Sequence, residues 1–277
     1  MTQHVDYDKL APTYNQRFEV SDRPATVEAL RSLLPALAEG SSEQGRSILE
    51  VGCGTARWLA ELCGLTGSPP QSVPPVGVEA GSAHCYGLDP STGMLAQAQQ
   101  RGAGLHLVRG RGESLPFPNG TLNLVYCVNA IHHMDGQQTF IHEARHVLRS
   151  GGMLAVIGSD PHGRSDSWYV YDYFAGIYEK DMARFPSWET VLNWMLDAGF
   201  ESVALRPVER ITNQRVGRSV FDDPFLQKSA CSQLAMLSDE AYAAGLRRIS
   251  KAIEAAEAAG EAIYFNVDLP IKMALAR

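Results

Sequence analysis

The sequence predicts an α/β fold, a mostly parallel β-sheet with helices on both faces, and three observations carry that reading. From Ser47 onward, short apolar runs suited to strands alternate with runs of helical periodicity, the pattern of a sheet covered on both sides. The run Ile48-Leu49-Glu50-Val51 breaks into Gly52-Cys53-Gly54, and Tyr86-Gly87-Leu88 ends in Asp89-Pro90-Ser91, so two strands finish in turns that open helices. A chain of 277 residues is long for one domain, yet it suits a large α/β core with an elaboration.

Residues up to about Ala38 read as helical, with Val27, Leu30, Leu33, Leu34 and Leu37 at helical spacing and Pro35 expected to kink or end the helix. A loop over 40–45 follows. Strands are expected at 48–51, 85–88, 105–108, 123–128 and 153–158. Residues 64–84 gather Pro69, Pro70, Pro74 and Pro75 among serines and glycines, the composition of an exposed insertion. A helix over 138–149 is expected to stop at Ser150-Gly151-Gly152. The aromatic segment 167–178, taken as one helix, puts Tyr171, Phe174 and Tyr178 on one face and Tyr169 and Tyr173 on another. Next come a helix near 187–198 ending at Gly199, a strand near 202–205 and an amphipathic helix over 239–259. The last stretch alternates Phe265, Val267, Leu269, Ile271, Met273 and Leu275; Pro270 interrupts it, so a bulge or two shorter strands are expected.

Composition narrows the partners. With 24 basic against 31 acidic residues the net charge is -7, which opposes nonspecific attraction to nucleic acid and favours a small-molecule substrate. Cysteines 53, 63, 85, 127 and 231 are odd in number, with neither a C-x-x-C pair nor metal-ligand spacing, and are expected as reduced thiols with no metal site. The first residues show no basic-then-apolar signal, and no apolar run approaches the ~20 residues that span a bilayer. A cytoplasmic protein without membrane contact is expected, its oligomeric state unspecified.

The glycine turn has local chemistry of its own. Without a Cβ the main chain lets a ligand approach closely, and Trp58, Leu59 and Leu62 at helical spacing make the turn open a helix whose first N–H groups face that ligand. A nicotinamide or flavin protein would want glycine or alanine at the sixth place of G-x-G-x-x-G, where this chain has Arg57; an oxidoreductase reading therefore rests on the turn alone. Asp89 can accept hydrogen bonds from two ribose hydroxyls, or cap the helix that Pro90-Ser91 begins.

Taken in order, Glu50-x-Gly52-x-Gly54, Asp89, Leu115-Pro116-Phe117, His132-His133 and Gly151-Gly152 resemble the class I S-adenosylmethionine-dependent methyltransferases over about residues 5–205. The likeness is greatest to the small-molecule group that includes the ubiquinone-pathway type. It implies a Rossmann-like, mostly parallel seven-stranded sheet with a last antiparallel strand, S-adenosyl-L-methionine as cofactor, and methyl transfer to a small-molecule acceptor. Ala56 stands in place of a third glycine, Arg111 in place of an acidic residue that often meets the adenine, and Asn123 in place of an aspartate. A catalytically silent cofactor-binding module is the second reading these departures suggest.

The resemblance also implies a site. Tyr14, from Tyr7-Asp8-x-x-Ala11-x-x-Tyr14-Asn15, would close over the cofactor's carboxylate end, with Glu50, Gly52, Cys53 and Gly54 at the turn and Asp89 and Pro90 at the ribose. Met94 would pack on the adenine, Gly112 and Glu113 would serve beside Arg111, and Asn129 would lie near the methionine part. His133 is the candidate general base, because imidazole titrates near neutrality; a structural role for either histidine is the alternative. The aromatic segment would line an apolar or aromatic acceptor pocket, or simply pack. The organisation expected is a helical N-terminal cover (1–45), a cofactor core (46–160) with the insertion, lid and substrate elements with the later core helix and strand (161–262), and a final strand (263–277).

Overall fold

Alternating strands and helices build the core in a computed structural model that describes residues 5–15, 23–35, 46–64, 83–102, 104–163 and 166–277. The predicted loop at 40–45 and, apart from its ends, the proline-rich insertion lie outside the described residues. The elements run α1 (Tyr7–Leu10), α2 (Pro24–Arg31), β1 (Arg46–Val51), α3 (Arg57–Leu62), β2 (Ala83–Asp89), α4 (Thr92–Gln99), β3 (Leu105–Arg109), β4 (Leu122–Val128), α5 (Gln137–Val147) and β5 (Leu148–Gly158). The second half adds β6 (Ser167–Trp168), α6 (Tyr169–Tyr173), α7 (Ile177–Arg184), α8 (Trp188–Asp197), β7 (Val203–Val216), α9 (Ser232–Ala235), α10 (Asp239–Ala259) and β8 (Tyr264–Ala276).

The sheet runs β3-β2-β1-β4-β5-β8, with β1 to β5 parallel, β8 antiparallel to β5 and β7 along the far edge of β8. The two-residue β6 brings the total to eight strands rather than seven. Side chains alternate across a strand, so Leu124, Tyr126 and Val128 enter one core with α2, α3 and α4, whereas Val125 and Cys127 enter the other with α5 and α8. A third cluster joins α6, α7 and α10 to Phe265 of β8, in the region expected to serve as a lid.

Several expectations change. The early helix stops at Arg31, ahead of Pro35, and the aromatic segment is two short helices parted at Gly176, whose φ of 78° only glycine adopts without strain. The glycines expected to cap α5 lie inside β5, which starts at Leu148 directly after the helix. Pro270 leaves β8 whole: on the side away from β7, β5 pairs with 272–276 and β6 with 267–268, so the proline falls in the gap between them. The register shift sits in the partner strand instead, between Pro207 and Glu209 of β7. Cys63 and Cys85 are joined by a disulfide, contrary to the expectation of five reduced thiols, while Cys53, Cys127 and Cys231 form no disulfide.

Candidate functional site

The glycine turn is fixed by what surrounds it. Gly52 has a φ of +70°, and a Cβ there would stand 2.5 Å from the Cβ of Ala130, so any other residue is excluded twice over. The N–H groups of Gly52 and Cys53 both donate to the carbonyl of Leu88, at 2.8 and 3.1 Å, and that of Gly54 donates to Asp89 Oδ2 at 2.8 Å. These three donors stitch the turn to the end of β2. The consequence is positional: the two motifs stand side by side although 35 residues separate Gly54 from Asp89. Ala56 lies just before α3 rather than in its first turn, with a left-handed φ of 54°, a conformation that costs an L-residue about 1 kcal/mol.

A cavity of about 240 Å³ opens above this junction. Gly52, Gly54, Asp89, Pro90 and Met94 line one side; Gly112, Glu113, Asn129, His133 and Tyr14 complete it. Two predicted residues lie elsewhere. Glu50 is buried beneath the turn, where its carboxylate accepts from Leu59 N–H at 3.0 Å and Tyr126 hydroxyl at 3.3 Å, and burial raises its pKa well above the usual range. Cys53 faces a neighbouring cavity, and burial likewise holds its thiol protonated.

Asp89 holds the start of α4 and also stands at the cavity. Its Oδ1 accepts from Ser91 N–H at 2.9 Å, Ser91 in turn caps α4 through Met94 N–H at 3.1 Å, and the carboxylate still borders the cavity. Burial raises its pKa. Glu113 braces the wall by accepting from Gly136 N–H at 3.0 Å, and Arg111 lines the cavity while pairing with Asp135 at 3.2 Å. Asn123, in place of an aspartate, accepts from Ser47 N–H at 2.9 Å and ties β4 to β1.

Tyr7, the first residue of the N-terminal motif, joins the site as well. Its hydroxyl lies 2.8 Å from His133 Nε2, and both residues line the first cavity and a second one of about 210 Å³. The cavities meet there, sharing Tyr14, Gly52, Gly54 and Asn129 as well. His132 faces the second cavity alone of the pair; it stacks on Phe185 at 3.8 Å, and burial keeps its ring neutral by pushing its pKa well down. The aromatic walls of the second cavity are Trp58, Trp168, Phe185 and Phe225. Of the aromatic segment only Trp168 reaches it. Tyr169 and Tyr171 instead donate to buried Asp223 and Asp181, at 2.8 and 2.9 Å.

Residues 49–156 match a family described as a methyltransferase domain. The chain is 28% identical over 123 residues to a 2-methyl-6-phytyl-1,4-hydroquinone methyltransferase of Oryza sativa, 44% of this chain but 35% of that protein, so it spans about a third of that relative's length. It is 29% identical over 188 residues to a demethylmenaquinone methyltransferase of Geobacillus kaustophilus, covering 60% of this chain and 75% of that one. The fold matches an Anabaena variabilis protein described as a methyltransferase of an antibiotic biosynthesis pathway, at a TM-score of 0.63 and 18% identity, over 91% of this chain and 96% of that one. Residues 49–156 thus carry a match to a methyltransferase domain, and the fold as a whole is similar to that of a solved protein described as a methyltransferase. The cavity fits the methyltransferase cofactor on its own terms: a glycine cradle that a Cβ would fill, a buried carboxylate suited to vicinal hydroxyls, and an apolar slot at Leu88 and Met94. Among the described residues no helix is long and apolar enough to cross a membrane.

Proposed function

We propose that the protein transfers a methyl group from S-adenosylmethionine to a small-molecule acceptor bearing a hydroxylated aromatic ring. The observation that carries this reading is the pair of cavities joined at Tyr7, Tyr14 and His133, one with nucleoside-binding features and the other walled by aromatic rings. The quinone and hydroquinone substrates in the names of the similar proteins support the aromatic class. Nucleic acid remains outside the proposal, as does a membrane-bound acceptor site. A cytoplasmic location is part of it, against which the Cys63–Cys85 disulfide weighs, and subcellular fractionation tests that.

In this reading Asp89 takes the ribose hydroxyls, Met94 and Gly112 flank the adenine, and Tyr14 and Asn129 border the methionine end. When bound, the cofactor supplies an electrophilic methyl group on a sulfonium sulfur. The protein's part is then to hold the acceptor atom in line and exclude water, and positioning alone provides several powers of ten in rate. A hydroxyl acceptor also has a proton to lose. The Tyr7 oxygen accepts it while the tyrosine proton passes to His133 Nε2, along the 2.8 Å bond already present.

Titration with S-adenosylhomocysteine, followed by transfer of a labelled methyl group across a panel of hydroxylated arenes, tests the proposal. The expected outcome is saturable binding that Gly52→Ala weakens by about tenfold or more, because the added methyl collides with Ala130. Absence of binding by the folded wild-type protein sinks the reading.

A further inference from the structure

The two adjacent histidines differ in what their rings bond. His133 Nε2 lies 2.8 Å from the Tyr7 hydroxyl. Among the described residues neither ring nitrogen of His132 makes a hydrogen bond, although the residue is only 8% exposed. Buried polar groups are ordinarily paired, so this imidazole is left with a donor and an acceptor that the chain does not use. We propose that His132 is a specificity-determining residue of the second cavity, hydrogen-bonding an oxygen of the acceptor ring other than the atom that receives the methyl group; this rests on the methyltransferase reading and deepens it.

The direction of approach follows from the cavities. His132 borders the second cavity and not the first, whereas Tyr7 and His133 border both, so a substituent that meets His132 lies away from the cofactor. A third cavity beside the same ring measures only about 10 Å³, room for one water at most, so a ligand reaches His132 from the second. Packing holds the ring in place: it stacks on Phe185 at 3.8 Å with 12° between the planes, and the His133 ring lies 4.1 Å away. Phe185 is itself anchored, its N–H donating to the Asp181 carbonyl at 2.9 Å and its carbonyl bonding His162 Nε2 at 2.8 Å. Other polar side chains of the cavity are engaged: Thr55 donates to Asn15 at 2.8 Å, Ser232 accepts from Arg184 at 2.8 Å and Gln233 donates to Asp181 at 3.0 Å. Burial, and then the nearness of His133 and Arg184, holds the His132 pKa well below the usual imidazole value, so the ring keeps one N–H donor and one lone-pair acceptor. Such a ring suits a hydroxyl or carbonyl oxygen held between the aromatic walls.

A ring with and without a second oxygen separates this hydrogen bond from ring packing. With S-adenosylhomocysteine bound and air excluded, 1-naphthol and the dihydroxynaphthalenes that carry a second hydroxyl on the same ring are titrated against wild type, His132→Phe and His132→Leu. The expected result is that wild type binds at least one of the diols about tenfold or more tighter than 1-naphthol. His132→Phe keeps a ring against Phe185 but no polar atom and loses that preference; His132→Leu repeats the loss with a smaller side chain. Affinities for 1-naphthol and S-adenosylhomocysteine stay within about twofold in the variants, as they do not if His132 merely supports the fold. Equal binding of naphthol and every diol by wild type overturns the proposal, as does a folded variant that keeps the preference or weakens naphthol and diol alike. Failure of all these arenes to bind while S-adenosylhomocysteine binds also overturns it and leaves the cofactor reading standing. Failure of S-adenosylhomocysteine itself removes the reading on which the proposal rests.

Discussion

At Asp89 one carboxylate closes the glycine turn through Gly54, opens α4 through Ser91 and borders the cavity. Desolvation is the largest influence on it, so its pKa lies above the usual aspartate value in the free protein. Ribose hydroxyls donate to the ionised form and would lower that pKa in the complex. Affinity is then fully present above the raised pKa and declines as the pH falls through it. Calorimetric titration of S-adenosylhomocysteine from neutral to acid pH is expected to show this decline starting above the range in which an ordinary aspartate titrates. Asp89→Asn is expected to bind about tenfold or more weakly and without that acid limb. Matching pH profiles for the two proteins would count against ribose contact. Asp89 was legible in the sequence because strand, acid and helix start are contiguous. The Tyr7 bond to His133 was not, since 126 residues separate the partners and nothing local encodes their meeting.

Among the elements, legibility follows how much each depends on its own residues. The helix at 239–259 is bounded by Ser238, which accepts from Ala241 N–H, and by Gly260 at φ 71°, both local signals, and its ends match the expected ones. Strand β7 extends to Val216 rather than Leu205, because it pairs along one side only and its polar residues remain outward. Gly245 in α10 would read as a weak point, yet a Cβ there would lie 2.2 Å from the ring of Phe174, so the lid packs through it. The Cys63 to Cys85 bond was equally hidden, since spacing alone does not show that the end of α3 abuts β2. It closes a loop of sequence separation 22 around the insertion, and in the chain-entropy account such a link stabilises by about 3 kcal/mol. Denaturant unfolding with and without reductant is expected to show a loss of that size, with S-adenosylhomocysteine affinity changed by less than about twofold because neither cysteine lines a cavity. Coincident unfolding midpoints would show that the bridge contributes nothing.

Across the molecule, residues at the ends of the central strands line both cavities, and Val5, Tyr7, Tyr14 and Arg23 of the N-terminal segment line them from the other side of the chain. That segment is pinned at separate points. Asp8 Oδ1 accepts from Ser91 hydroxyl and Gly93 N–H, each at 2.7 Å; Asn15 accepts from Thr55 hydroxyl at 2.8 Å and Arg101 at 2.9 Å; Arg23 and Thr26 reach Glu209 on β7. The Asp8 pin sits at the start of α4, next to Asp89, so it joins the cover to the helix that borders the cofactor cavity. Its hydrogen bonds from Gly93 and Ser91 depress its pKa, so the pin is intact at neutral pH and is lost only as pH falls through that lowered value. A Cβ at Gly93 would be tight here, 3.1 Å from Asp8 Oδ1 and 3.2 Å from its Cα, so a side chain there would have to push the Asp8 segment by a few tenths of an ångström. Removing the carboxylate frees the segment that carries Tyr7 and Tyr14 without touching the sheet. Asp8→Ala is therefore expected to raise the dissociation rate of S-adenosylhomocysteine by roughly fivefold to tenfold in stopped-flow measurements, with little change in Tm. The methyl-transfer rate should fall with it, because Tyr7 then holds His133 less well. If dissociation and transfer are both unchanged, the N-terminal segment is not a cover, and the cavities must be closed by the sheet and the lid alone.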